Sequence, residues 1–384
     1  MSYVAMARKW RPQTFADLIG QEHVAKIIAN AIEGDRLHHA FLFTGTRGVG
    51  KTTSARIFAK TLNCTQRNGV HPCGNCASCL EITSGSSLDV IEIDGASNNS
   101  VDNIRELIEQ VKYAPMNGGY RIIVIDEVHM LTGSAFNALL KTLEEPPPHV
   151  VFVFATTESK KVPQTILSRI QRFDFKPISV AKITQRLQFI CQAESLQYED
   201  GCLELIAEKG DGSMRDALTL FDQVYSFSGS DLQLKDVQSI LGVPPEELFF
   251  QLMEAIIAKN QVSSFRALHA FFNTGLEIAD FLEGLFKYLR NLAFVKVSGF
   301  TAEDLAISSD AFQRIQTLCQ SLEQGDVLRY AKILSDVQQN VKNAPHPRIA
   351  LEMGIARMAY IDSVHTIRQL VNKLENEDSS KKKL

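Results

Sequence analysis

Short apolar runs alternate with helical patterns between residues 1 and 178. The runs are too short for helices, and each is followed by a polar or glycine residue: Ala40–Phe43, Val90–Ile93, Ile122–Ile125 and Val150–Ala155. The stretches with helical spacing lie between them, around Lys51–Leu62, Val101–Val111 and Ser134–Leu143. Buried strands that alternate with helices are typical of a parallel sheet covered on both faces. The pattern therefore predicts an α/β domain at 1–178, with ligands bound at the carboxyl ends of its strands.

The pattern changes after Pro177, where strand signals largely vanish. Several short helices are predicted in 179–242, which indicates a small helical domain. Gly242-Val243-Pro244-Pro245 marks the next boundary, and apolar residues then repeat at helical spacing, which predicts an all-α domain at 243–368. These stripes are interpreted as core, with a subunit interface as the alternative. One stripe is expected on the last helix: Ile349, Met353, Ile355, Met358, Ile361 and Ile367. The charged tail at 369–384 is expected to be disordered.

Composition limits the classes of function. The 384 residues include 40 Lys and Arg against 44 Asp and Glu, a formal net charge of −4. Proteins that coat nucleic acid are usually basic, so any DNA contact here requires a local patch. No apolar run approaches the roughly 18 residues that span a bilayer. Met1–Trp10 lacks the apolar segment of a secretion signal. We therefore expect a cytoplasmic protein with no membrane partner.

A phosphate-binding loop follows the first apolar run and opens a helix. Its residues are Gly45, Thr46, Arg47, Gly48, Val49, Gly50, Lys51, Thr52 and Thr53. Glycines let backbone N–H groups curl around phosphates, and the start of the helix adds unpaired N–H groups. In this pattern Lys51 reaches the β- and γ-phosphates, and the Thr52 hydroxyl binds Mg²⁺. The loop recognises phosphates and leaves the base unspecified.

Other candidate residues follow the later strands. Asp126 is assigned to the Mg²⁺ ion and Glu127 to polarising the attacking water, although 126–129 also resembles a helicase box. The hydroxyls of Thr156 and Thr157 either sense the γ-phosphate or simply end a strand. Arg169 and Arg215 are candidate guanidinium groups for the charge that develops during phosphoryl transfer. Spacing alone leaves both open as ordinary solvated charges.

Four cysteines crowd into residues 64–79: Cys64, Cys73, Cys76 and Cys79. In a chain without a secretion signal this clustering favours a metal site over disulfides. Two-residue spacings let thiolates converge on one tetrahedral ion, which predicts structural Zn²⁺. An iron–sulfur cluster and a redox pair remain as alternatives. Cys191, Cys202 and Cys319 are isolated and expected to be buried as small apolar residues.

Many local motifs occur in one order along the chain: Ala7-Arg8-Lys9-Trp10-Arg11-Pro12, Phe15, Gly20-Gln21-Glu22-His23, the loop Gly45–Thr52, the four cysteines, Val128–Leu131 and Asn137–Pro146. On these motifs the chain resembles, essentially end to end, the gamma/tau (DnaX) family of bacterial DNA polymerase III clamp-loader subunits. The resemblance implies an AAA+ ATPase domain, a helical lid and a helical collar. It also implies ATP, Mg²⁺ and Zn²⁺ as ligands.

Further expectations follow from the resemblance. The implied partners are delta and delta-prime subunits, further copies of this chain in a ring, the sliding clamp and primed DNA. The chain would open the clamp and load it onto DNA. Arg169 is implied as an arginine finger acting in trans, Arg215 as a sensor on the lid, and Arg11 and Pro12 as part of the adenine pocket. DNA contacts are expected at Ser97–Ser100 or Lys160–Thr165.

Two departures and two alternatives accompany this interpretation. The usual Ser-Arg-Cys finger motif reads Ser168-Arg169-Ile170, and the chain ends at Leu384, which resembles the shorter form of the family. One alternative is a scaffold subunit, like delta-prime, that does not hydrolyse ATP. The other is a different AAA+ motor associated with DNA.

Overall fold

The computed structural model describes residues 4–34, 36–116, 119–297, 299–305 and 307–361. The chain divides into two compact units between Val237 and Gln238. Ile367 and the charged tail at 369–384, for which the sequence carries expectations, lie outside the described residues. No helix among those described is long and apolar enough to cross a membrane.

A five-stranded sheet forms the centre of the first unit. Its strands are β1 (Ala40–Thr44), β2 (Val90–Asp94), β3 (Arg121–Asp126), β4 (Val150–Thr156) and β5 (Gln171–Asp174). Every pairing is parallel, and the order across the sheet is β2-β3-β4-β1-β5. The predicted parallel sheet is thus confirmed. Thr44 pairs with Thr156 and Asp94 with Asp126, so four strands end in polar residues at one edge.

Helices cover both faces of this sheet. They are α2 (Glu22–Glu33), α3 (Lys51–Asn63), α4 (Ala77–Ser84), α5 (Val101–Val111), α6 (Gly133–Glu144) and α7 (Gln164–Leu167). The short helix α1 (Met6–Lys9) precedes them and packs instead against the helix Met214–Ser228. Side chains alternate between faces along a strand. Phe41 and Phe43 therefore join a core with α2 and α3, whereas Ala40 and Leu42 join a second core with α5 and α6. Three 3₁₀ turns complete this part: Phe15–Asp17, Val128–Met130 and Ser159–Lys161.

The chain from Val180 to Ile240 forms the helices α8 (Val180–Glu194), α9 (Cys202–Lys209), α10 (Met214–Ser228) and α11 (Leu234–Ile240). Two short strands within this segment, β6 (Gln197–Tyr198) and β7 (Asp231–Leu232), pair with each other in parallel. Helix α10 begins where the Ser213 hydroxyl accepts a hydrogen bond from the Asp216 N–H. This cap fixes the start of α10, which reaches the phosphate loop.

The described part of the second unit is helical and encloses a single large core. Its helices are α12 (Glu246–Ile257), α13 (Gln261–Asn273), α14 (Ile278–Lys296), α15 (Ala302–Leu305), α16 (Ser309–Gln320), α17 (Gln324–Asn343) and α18 (Pro347–Tyr360). The all-α prediction for this region is therefore confirmed over the described residues.

The stripe predicted for the last helix is wrong in part. Ile355 and Met358 are buried and Ile361 is partly buried, but Ile349 and Met353 are 54% and 65% exposed. At roughly 100° per residue, positions 349 and 353 lie on the side of α18 opposite to 355 and 358. The buried stripe is instead completed by Leu351, Gly354 and Ala359.

Candidate functional site

The phosphate loop joins the end of β1 to the start of α3. Gly45, Gly48 and Gly50 have positive φ angles of 153°, 75° and 104°, which side chains rarely tolerate. A Cβ on Gly48 would lie 1.8 Å from the Ser213 hydroxyl oxygen. The loop backbone therefore passes directly against the N-terminus of α10. Glycine is needed here both for backbone conformation and for space.

Lys51 and Thr52 are the first two residues of α3. The Lys51 side chain is buried, and its Nζ donates hydrogen bonds to the carbonyl oxygens of Gly45 and Thr46, each at 2.8 Å. Burial lowers the pKa of Lys51, and the charges of Glu127 and Asp126 oppose this shift. The Thr52 hydroxyl donates to Asp126 Oδ2 at 2.6 Å. A lysine, a hydroxyl and a carboxylate thus meet where the loop enters the helix.

Asp126 and Glu127 end strand β3 in a tight turn. Glu127 has a left-handed backbone, with φ 46° and ψ 46°, which is uncommon for a residue with a side chain. Gly95 lies directly behind this turn. Its N–H donates to the Asp126 carbonyl oxygen at 2.7 Å, and a Cβ on it would lie 2.8 Å from the Glu127 carbonyl oxygen. Gly95, which the sequence did not single out, leaves room for the Glu127 turn.

Thr156 is the last residue of β4, and Thr157 follows it. Their hydroxyl groups contact two residues that come after Asp126, namely His129 and Glu127. The Thr157 hydroxyl donates to Glu127 Oε2 at 3.1 Å. Thr156 is fully buried, and its hydroxyl lies 2.9 Å from Nδ1 of His129. Thr157 therefore touches the candidate catalytic carboxylate directly, whereas Thr156 reaches it only through His129.

A cavity of about 820 Å³ opens over the phosphate loop. Its lining includes the predicted residues Arg11, Pro12, Arg47, Gly48, Val49, Gly50, Lys51, Thr52, Thr53, Asp126, Glu127 and Arg215. Gly45, Thr46, Thr156, Thr157 and Arg169 are not part of the lining. The volume is within the range of small-molecule sites. Residues that are far apart in the sequence therefore form one concave site in the first unit.

Part of the cavity wall was not predicted from the sequence. Ile19, Ile178, Met214 and Leu218 supply apolar surface, and Arg186 supplies a cation. The guanidinium of Arg186 lies 5.6 Å from the centre of the Trp10 ring. These residues come from separate segments that meet only in the folded chain. Their positions in the sequence carry no local signal that could have identified them.

Basic side chains line the cavity together with acidic ones: Arg8, Arg11, Arg47, Lys51, Arg186 and Arg215 with Asp17, Glu92, Asp94, Asp126 and Glu127. Burial, followed by the nearby charge of Arg56, lowers the pKa of Arg11, and Arg215 adds to this effect. Arg56 itself is held by a two-point ion pair with Glu92, with N–O distances of 2.6 and 2.8 Å. The Arg215 N–H lies 3.4 Å from the Gly48 carbonyl oxygen, which brings the start of α10 to the loop. Such an arrangement suits a polyanionic ligand.

Arg169 lies outside this cavity, just after α7. Its Nη2 donates to Glu144 Oε1 at 2.6 Å, and its Nη1 donates to the Thr165 carbonyl oxygen at 2.7 Å. About a third of its side chain is exposed. The structure therefore does not bring Arg169 to the phosphate loop of its own chain.

The four clustered cysteines form a compact group of thiols. The sulfur atoms of Cys64, Cys73, Cys76 and Cys79 all lie within 4.8 Å of one another. Burial disfavours a charged Cys76, but hydrogen bonds from Cys79 and Thr65 outweigh it and lower its pKa to about 6. Burial raises the pKa of Cys79 to about 12, so a thiolate there requires a nearby cation. Four sulfur ligands at these separations can surround one metal ion.

The remaining cysteines match their expectation. Cys191, Cys202 and Cys319 are all buried and unpaired. Burial raises the pKa of both Cys191 and Cys202 to about 11, so neither is a reactive thiolate.

Three family models match successive parts of the chain. The model for the DNA polymerase III delta subunit matches residues 20–179. The model for the ATPase lid domain of the DNA polymerase III clamp loader subunit matches 182–230. The model for domain III of the DNA polymerase III subunits gamma and tau matches 232–374.

Curated relatives match over nearly all of this chain. The DNA polymerase III subunit tau of Bacillus subtilis is 41% identical, with 98% of this chain and 68% of that protein covered. Subunit tau of Escherichia coli K12 is 40% identical, with 93% and 55% covered. Subunit gamma of Buchnera aphidicola subsp. Acyrthosiphon pisum is 39% identical, with 93% and 99% covered. The chain thus spans just over half of the E. coli tau protein and nearly all of this gamma protein.

Two solved structures are similar to this chain at lower sequence identity than the curated relatives. The Thermotoga maritima RuvB branch migration motor is 17% identical, with 81% of this chain and 90% of that chain covered and a TM-score of 0.45. The Bacillus subtilis clamp loader delta protein is 12% identical, with 88% and 99% covered and a TM-score of 0.38.

Proposed function

We propose that this chain, which belongs to the gamma and tau family of DNA polymerase III subunits, is the ATP-hydrolysing motor subunit of a clamp loader. The observation that carries the proposal is the meeting of Lys51, Thr52, Asp126 and Glu127 at one cavity. A lysine, a metal-binding hydroxyl, and two carboxylates are the groups that nucleoside triphosphate hydrolysis requires. ATP binding and turnover would drive opening of the sliding clamp and its loading onto primed DNA.

The phosphate loop would hold the triphosphate. Its glycines adopt the positive φ angles that let a loop curl around phosphates, and the N-terminus of α3 that follows favours negative charge. Lys51 would exchange its bonds with the Gly45 and Thr46 carbonyl oxygens for bonds with phosphate oxygens. Thr52 and Asp126, 2.6 Å apart, would share a Mg²⁺ ion. That ion neutralises charge on the phosphates when it is bound.

Hydrolysis would depend on Glu127 as the group that orients and polarises the attacking water. Thr157, which donates to Glu127 Oε2, would sense the γ-phosphate through this carboxylate. Thr156 would act only indirectly, because it is buried beside His129. Arg215, at the start of α10, would stabilise phosphate charge within the same subunit.

The base would occupy the cavity wall formed by the first segment of the chain and α10. Arg11 and Pro12 line this part with the apolar residues Ile19, Met214 and Leu218. A flat aromatic base fits an apolar wall with a few polar groups at its rim. We assign adenine to this wall on the basis of the family resemblance.

Arg169 would serve a neighbouring subunit in a ring. It is absent from the lining of the cavity in its own chain, and its guanidinium is partly exposed. An arginine supplied from the next subunit raises phosphoryl-transfer rates by roughly 10³–10⁵ in other systems. The ring would contain further copies of this chain with delta and delta-prime subunits, in the cytoplasm. Primed DNA would contact Ser97–Ser100 or the exposed Lys160 region.

We propose that Cys64, Cys73, Cys76 and Cys79 hold one structural Zn²⁺ ion. All-sulfur tetrahedral coordination leaves no open position, so the ion would fix the loop between α3 and α4 and take no part in hydrolysis. Gly74, with φ 76°, makes the tight turn that this spacing requires.

Replacing Glu127 with Gln should abolish ATP turnover while leaving ATP binding intact. The amide keeps the size of the side chain but cannot accept a proton from water, so general-base catalysis worth about 10²–10⁴ in rate is lost. The measurement is steady-state hydrolysis together with bound-nucleotide analysis. Glu106→Gln, an exposed change on α5, is the control and should be neutral. Undiminished turnover in Glu127→Gln would contradict the assignment.

Replacing Arg169 with Ala should depress hydrolysis in the assembled ring and leave ATP affinity largely unchanged. The finger acts on a neighbour, so mixed rings should lose turnover at the site next to the variant subunit. Arg172→Ala is the matched control, because Arg172 lies three residues away and pairs with Asp174. Equal losses of binding and hydrolysis would count against a role in trans.

Metal analysis of the purified chain should find about one zinc ion per chain. Cys76→Ser should lose this ion, because a hydroxyl is a poor replacement for a thiolate ligand. Cys202→Ser, at a buried cysteine outside the cluster, should retain it. Iron with acid-labile sulfide, or no metal at all, would refute the zinc assignment.

A further inference from the structure

His129 is a buried histidine next to the candidate catalytic pair. It lies in the 3₁₀ turn Val128–Met130, directly after Asp126 and Glu127, and its side chain is only 7% exposed. A buried polar side chain is stable only when its hydrogen-bonding groups have partners. The partners of the imidazole ring therefore indicate what this residue does.

Both ring nitrogens face oxygen atoms. Nδ1 lies 2.9 Å from the Thr156 hydroxyl and 3.3 Å from Glu127 Oε2. Nε2 lies 3.5 Å from Glu158 Oε1. The Thr156 hydroxyl is the hydrogen-bond partner of Nδ1, and Glu127 Oε2 lies beside the same nitrogen as an ion-pair contact. When Nδ1 carries the ring proton, its positive hydrogen lies beside the Glu127 carboxylate and favours that position of the oxygen.

Two hydrogen bonds and one imidazole contact meet at one oxygen of Glu127. Oε2 lies 3.3 Å from the Thr157 N–H nitrogen, 3.1 Å from the Thr157 hydroxyl and 3.3 Å from His129 Nδ1. The Glu127 backbone is in the left-handed region, where neighbouring contacts must hold it. These contacts restrict where the carboxylate can point.

Glu158 and Lys161, which lie nearer the surface, contact the groups that surround the imidazole ring. The Glu158 N–H donates to the Thr156 hydroxyl at 2.9 Å, and Lys161 donates to the Glu158 carboxylate at 2.8 Å. A hydrogen bond from Lys161 lowers the pKa of Glu158, which keeps this carboxylate charged. Oxygen atoms therefore lie beside both ring nitrogens of His129.

We infer that His129 is a positioning residue that orients the Glu127 carboxylate for hydrolysis through Nδ1. The inference rests on the proposed role of Glu127 as the group that polarises water. His129 does not line the cavity, so it acts on the reaction through Glu127 and not by touching the nucleotide.

Two substitutions test the roles of the two ring nitrogens of His129 separately. The Asn amide occupies the place of Nδ1, whereas the Gln amide extends to the place of Nε2. His129→Asn should keep the contact with Glu127 and retain kcat within about threefold of the parent chain. His129→Gln should lose that contact and lower kcat about tenfold or more, a part of the general-base contribution. ATP affinity should stay within about twofold in both variants, because neither changes the phosphate loop.

A matched control lies at the other end of β4. His149 is a partly buried histidine whose Nε2 lies 3.2 Å from the Val111 carbonyl oxygen. His149→Gln should leave kcat unchanged.

The outcomes are distinct. A slow His129→Gln with a fast His129→Asn supports the inference. Equal kcat values for the two variants, or a slower His129→Asn, overturn it. If Glu127→Gln is inactive while His129→Gln turns over normally, only this inference fails. If Glu127→Gln remains active, the proposed function fails first.

Discussion

A buried positive charge at the carboxyl edge of the sheet is the feature on which the site depends. The Lys51 side chain is 5% exposed, and its ammonium group bonds to two carbonyl oxygens of its own loop. Burial of a charge is unfavourable unless opposite charge or strong polar partners surround it. Asp126 and Glu127 supply part of that compensation, and the phosphates of a nucleotide would supply more. The glycine backbone, the start of α3 and the aligned strand ends all serve to hold this charge facing the cavity.

The parts of the fold that could be predicted from the sequence are those with local signals. Four strands were recognised because each is a short apolar run; β1, β3 and β4 are buried on both faces, and β2, at the sheet edge, is only partly buried. Strand β5 was missed because Phe173 is its one buried residue among polar neighbours at the sheet edge. The two-residue strands β6 and β7 are too short for any pattern. In α18, the apolar residues occupy two opposite sides, and composition alone could not decide which side faces the core.

The candidate site also combines residues with local sequence signals and residues without them. The phosphate loop, the Asp126–Glu127 pair and the cysteine cluster are contiguous motifs whose chemistry determines their spacing. The resemblance built on these and the other motifs is confirmed by the curated relatives, at about 40% identity over most of the chain. Ile19, Arg186 and Gly95 carry no such signal, since their importance arises from contacts between distant segments. The proposed roles of Arg169 and His129 likewise depend on contacts, in one case with a neighbouring subunit and in the other with Glu127.

As the proposed motor of a clamp loader, the chain should hydrolyse ATP in response to the clamp and the DNA on which its assembly acts. The direct measurement is steady-state ATP hydrolysis by this chain assembled with delta and delta-prime partners, with the clamp and primed DNA added separately and together. The account predicts strong stimulation only when both are present, because loading a clamp onto DNA is the step that would trigger hydrolysis. A rate that responds to neither the clamp nor the DNA would contradict it.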